Sequence, residues 1–124
     1  MVKQAVENPW ANVVMAMLST GGYRLEKTFQ HFELLKENGL TDIRNISCMD
    51  NEHLARKLVK SGYNRGPVLT EMYTDRLISL GKLSSRIEEN ERILKDGTEE
   101  EVSSLLMGVK GIGPVVIKLF LSFR

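Results

Sequence analysis

The chain has 124 residues, 42% of them hydrophobic, which is enough for one domain with a real core and is read as a single helical domain over 1–124. Seventeen basic residues against sixteen acidic ones leave a net charge of +1, so bulk charge predicts no polyanion partner and any such contact must rest on local charge. The single cysteine, Cys48, excludes an internal disulfide framework or a four-cysteine metal cluster; no apolar run is long enough to span a bilayer and the N-terminus lacks the apolar block of a signal peptide, so a cytoplasmic protein is expected.

Asn8-Pro9 reads as a helix start, an N-cap followed by proline at the first helical position. Trp10, Val13, Val14, Met17 and Leu18 then recur at helical spacing in a buried helix that ends near Gly21-Gly22. From Arg24, the apolar positions Leu25, Phe29, Phe32 and Leu35 predict one amphipathic helix, stopped by Asn38-Gly39. Thr41-Asp42 can cap a short turn of helix through Ile43 and Ile46, and Asp50 can cap another with Leu54, Leu58 and Val59 that ends at Ser61-Gly62. Pro67 opens a helix running to Gly81, Ser84 begins a more polar one that Asp96-Gly97 breaks, and Thr98 to Glu101 fits a capping box. No stretch alternates as a strand would. The chain is expected to be all-α, a compact bundle of about seven or eight helices joined by glycine-marked turns.

The most informative stretch is Gly108-Val109-Lys110-Gly111-Ile112-Gly113-Pro114. It reads as a tight turn between two helices. Gly111 and Gly113 permit positive φ and close backbone approach, and Pro114 stands where a missing N–H costs nothing. Ile112 can plug the turn into the core, leaving backbone N–H groups facing outward at the start of a helix, which is a ready anion site.

With its flanking helices, this pattern resembles the helix-hairpin-helix motif of DNA repair proteins. Asn8-Pro9-Trp10 followed by Val13 to Thr20 resembles the first buried helix of the endonuclease III-like DNA glycosylase superfamily, and Ser61 to Gly66 resembles that family's glycine-tyrosine turn. The three matches occur in family order over roughly residues 8 to 124. The resemblance implies an all-α fold and double-stranded DNA as partner, with Lys110, Gly111, Ile112, Gly113 and Val115 at the phosphate-binding turn. It also implies an intercalation loop at Thr20, Gly22 and Tyr23.

The chain departs from the family after the hairpin. No aspartate follows Asp96, so the family's catalytic aspartate has no counterpart, and the sequence looks truncated after the hairpin. Val115 stands where bifunctional members carry a lysine, and it cannot form a Schiff base. Lys118 is one helical turn further on and reads as a solvated lysine or a phosphate contact. The catalytic residues are therefore unknown, and Asp42, Asp50, Asp75 or a glutamate can substitute only if the fold brings one beside the hairpin.

Charge after Glu101 is one-signed, with Lys110, Lys118 and Arg124. Lys110 reads as a phosphate contact or an uncommitted surface lysine, and Arg56, Lys57, Lys60 and Arg65 as a second contact or a solvated helix face. Tyr23 either stacks on a base or lies at the core edge of a plain linker. His31 and His53 read as surface residues with no metal role, Cys48 as a small buried residue, and Glu88 to Glu101 as capping and surface acids; no cofactor is expected. The apolar segment from Val115 to Phe123 needs cover, from the chain's own first residues, a partner protein or a second copy. The expected function is duplex-backbone binding in base excision repair. The alternatives are an active N-glycosylase using a non-standard carboxylate, and an interaction module that uses the C-terminal helix.

Overall fold

The computed structural model of the chain describes residues 8–124. They form an all-α bundle of α1 (Pro9–Leu18), α2 (Leu25–Gln30), α3 (Phe32–Glu37), α4 (Ile43–Ser47), α5 (Asn51–Lys60), α6 (Pro67–Gly81), α7 (Ile87–Asp96), α8 (Glu99–Leu106) and α9 (Pro114–Ser122), with a 3-10 turn over Lys82–Arg86. Among the described residues there is no strand. The helix starts are set by local chemistry. The Asn8 side chain accepts from the Trp10 amide at 3.0 Å. Asp42 and Asp50 do the same for Arg44 and His53, and Thr98 and Glu101 complete a reciprocal capping box.

Helix α1 is the centre of the core. It carries no charge, every residue from Pro9 to Leu18 is buried, and it packs on α2, α7 and α9. Trp10 reaches the rim, where its indole N–H donates to Glu91 Oε1 at 3.1 Å. Helix α9 takes its cover from α1 and α8, burying Val116, Ile117 and Phe120 while Val115 and Lys118 stay exposed. The chain's first seven residues, which were one of the covers expected for it, lie outside the described residues.

The helix predicted from Arg24 to Leu35 is divided at His31, whose ψ of 1° leaves the helical range. The break presents the His31 ring edge-on to Tyr63 and puts its Nε2 2.9 Å from the Tyr23 hydroxyl. His31 is thus half-buried in an aromatic cluster rather than on the surface, while His53 is exposed. The helix expected to begin at Ser84 begins instead at Ile87, because α6 runs directly into the 3-10 turn and the Asn90 amide ties α7 back to the Leu83 carbonyl. Cys48 is exposed, not buried: it caps the C-terminus of α4, whose inward positions go to Ile43 and Ile46.

Candidate functional site

The turn joining α8 to α9 is anchored by two plugs. Val109 and Ile112 are buried, and the Ile112 N–H closes the turn onto the Val109 carbonyl at 3.1 Å. Gly111 takes φ +85°, a conformation that strains any residue with a Cβ. Gly113 does not share that demand. It is extended, with φ −126° and ψ −169°, and the space a Cβ would enter is open, so the expectation of positive φ holds for Gly111 alone. Gly113 is the N-cap of α9 without a side-chain cap, which leaves the first-turn amides of Val115 and Val116 without partners inside the helix. Lys110 is exposed, its amide donating to Ser79 Oγ at 3.0 Å, and Val115 is 73% exposed.

The second loop, between α1 and α2, carries Gly21 at φ +66° and Gly22 at φ +86°. Its backbone is held by Arg65, whose guanidinium donates to the carbonyls of Thr20 at 2.8 Å and Gly21 at 2.6 Å. Tyr73 adds a hydroxyl bond to the Thr20 carbonyl at 3.0 Å and pairs with Thr20 Oγ1 at 2.9 Å. The Arg65 guanidinium lies over the rings of Tyr23 and Tyr73, 4.8 and 5.1 Å from their centroids. Tyr23 stands half-buried at the core edge, edge-on to Tyr63 and with Lys27 over its ring. The cluster is desolvated enough to move its acid–base behaviour. Burial pushes the Tyr63 hydroxyl well above its ordinary range against the opposing pull of Arg65, and that hydroxyl donates to the Leu18 carbonyl at 2.7 Å. Burial first, and Lys27 second, lower the pKa of His31.

Both loops are laid along one edge of α6. Tyr73, Arg76 and Ser79 are spaced so that they share a helix face of about 9 Å. Tyr73 holds Thr20, Arg76 lies over the Tyr73 ring at 5.1 Å and packs on Gly111, and Ser79 receives the Lys110 amide. Sequence reasoning named the two loops but not this strip. Its one signal in the sequence is the spacing of residues 73, 76 and 79.

The charge that these contacts place on this edge is carried by Lys27, Arg65, Arg76 and Lys110. Among the described residues the one ion pair joins Arg86 and Glu89, so Lys27, Arg65, Arg76 and Lys110 have no acid within ion-pair distance. The aspartates weighed as substitutes lie elsewhere: Asp42 and Asp50 are helix caps, and Asp75 accepts from Asn51 in the groove between α5 and α6. Glu99 lines a groove between α8 and α9 with Met107, Ile117, Lys118 and Leu121. Among the described residues no three His, Cys, Asp or Glu side chains are grouped to hold a metal ion, and no helix is long and apolar enough to cross a membrane. Compared with protein-family models, with curated proteins and with solved structures, the chain matches none of them.

Proposed function

We propose that this chain is a DNA-binding helix-hairpin-helix protein of the base-excision-repair superfamily, gripping the phosphate backbone of duplex DNA without reading its sequence. The observation that carries the reading is the edge of α6, where Lys110 and Arg76 flank the turn at Gly111 and, among the described residues, neither has a carboxylate within ion-pair distance. Beside them the uncapped start of α9 offers amides and the positive end of its dipole to an anion. Phosphate contacts of this kind position a protein on a duplex and carry no sequence information.

Gel-shift titration with duplex DNA at low and moderate salt is the test. The wild type binds, binding weakens as salt rises because released counterions drive it, and Gly111→Ala combined with Gly113→Ala weakens it. A wild type that does not bind at low salt removes the reading. Abasic product from duplexes carrying uracil, mismatched thymine or oxoguanine marks the chain instead as an active glycosylase. The apolar groove between α8 and α9, with Met107 53% exposed, favours a second reading as a protein-interaction module, which light scattering tests: a strict monomer at high concentration rejects self-association through α9.

A further inference from the structure

Helix α5 sorts its charge by face. Its one acid, Glu52, lines the groove against α6, across from Glu71 and Asp75. His53, Arg56, Lys57 and Lys60 follow the i, i+3, i+4, i+7 spacing that places side chains in one stripe, and together they line a surface depression with no acid among its described residues. Among the described residues none of the four has a carboxylate within ion-pair distance. The helix dipole favours cations in the last turn, which accounts for Lys57 and Lys60, but His53 and Arg56 lie outside it.

The stripe also leads into the edge described above. Beyond Lys60, Gly62 seats against His31, so closely that a Cβ on it would lie 2.8 Å from the His31 Nδ1. His31 pairs with Tyr23, and Arg65 covers Tyr23 and Tyr73. Successive contacts thus run from Gly62, at the end of α5, through His31, Tyr23, Arg65 and Tyr73 to Arg76.

We propose that the α5 stripe is a second phosphate-contacting surface that lengthens the footprint on duplex DNA beyond the loop at Thr20 to Gly22. The proposal rests on the backbone-binding reading. From His53 to Lys60 the stripe extends about 10 Å, long enough to face successive phosphates of one strand, whose charges rise about 3.4 Å apiece along the duplex axis. Cations confined to one face of a helix suit an anionic strand lying along that face. A membrane surface calls instead for large apolar side chains beside the cations, and among the described residues Val59 is the one apolar residue lining this depression.

The test compares wild type with the triple variant Arg56→Gln, Lys57→Gln, Lys60→Gln on a short duplex and on one twice its length, by fluorescence anisotropy across a salt series. Thermal melting checks that the variant folds. On the longer duplex the variant binds more weakly at low salt, and its slope of log affinity against log salt is shallower by about 2.7, the loss of three contacts. On the short duplex the two proteins are alike. If the variant matches wild type on the longer duplex while Lys110→Gln still weakens binding, the stripe is not a contact and the backbone reading stands. If wild type binds neither duplex, both fail. Binding of wild type but not the variant to anionic vesicles or polyglutamate, with no difference on duplex, reassigns the stripe and overturns the proposal.

Discussion

Arg76 occupies the space that a side chain on Gly111 would need: a Cβ built there would overlap Cδ and Nε of Arg76 and lie 2.7 Å from its Cγ. The same guanidinium lies over Tyr73, so the Gly111 turn and the α6 face are fitted to one another. Gly111→Ala therefore meets two penalties, the left-handed backbone and a displaced Arg76. A loss of about 1–2 kcal/mol is expected from the backbone alone. Gly113→Ala, in extended backbone with open space, is expected to change stability by less than about 0.5 kcal/mol. Chemical denaturation of the two single variants separates them, and equal losses would show that the turn is not built this way.

Arg65 is the clasp of the first loop. Replacing it with alanine removes its bonds to the Thr20 and Gly21 carbonyls and to the Tyr63 hydroxyl, and uncovers the rings of Tyr23 and Tyr73. Bonds to a charged group at a half-buried site put the cost at about 1–3 kcal/mol. Amide hydrogen exchange at Thr20 to Tyr23 should speed up in Arg65→Ala while α8 keeps its protection. Uniform protection loss across the chain would instead mark Arg65 as a global support.

His31 gives the fold a pH dependence whose sign follows from its environment. Its pKa is lowered from 6.5 by burial and then by Lys27, so the unfolded chain takes up the proton first as pH falls. Below about 6.5 the unfolded state binds more protons than the folded one, and stability drops with falling pH until the folded ring titrates too. Above that value the histidine contributes no slope. Denaturation midpoints measured from neutral to mildly acidic pH should fall for wild type and flatten in His31→Gln; a slope unchanged in His31→Gln would show that this ring does not set it.

Much of the fold was legible because it is set by short-range chemistry. Asn8, Asp42, Asp50 and the Thr98–Glu101 box start the helices they were expected to start, and the apolar positions of α1 fill the core. The break at His31 was not legible, because the spacing of Leu25, Phe29, Phe32 and Leu35 is satisfied equally by one helix or two. What decides between them is the seat for the His31 ring among Tyr23, Gly62 and Tyr63, a contact between distant parts of the chain. Cys48 illustrates the opposite error. Composition favours burial for a free cysteine, but the inward positions of α4 are already taken by Ile43 and Ile46. In the candidate site the two loops could be named from glycines and proline. Their joint support by Tyr73, Arg76 and Ser79 could not, since it depends on which face of α6 meets them.

Val115 offers a probe of the proposed phosphate site that leaves the core alone. At 73% exposed on the first turn of α9, it accepts lysine or aspartate with a stability change of about 0.5 kcal/mol or less. Val115→Lys should tighten duplex binding and Val115→Asp weaken it, with the salt slope moving by about 0.9 for the added contact. Opposite charges producing the same change would place the duplex away from α9.

The central claim is that Arg76 and Lys110, beside the Gly111 turn, meet the phosphate backbone. Its most direct test is the salt dependence of duplex affinity for wild type against Arg76→Gln with Lys110→Gln, measured by fluorescence anisotropy on two duplexes of unrelated sequence. The account predicts weaker binding by the double variant to both duplexes alike, and a slope shallower by about 1.8 for the two lost contacts. Wild-type binding with an unchanged slope in the variant, or no binding of wild type at low salt, would contradict it.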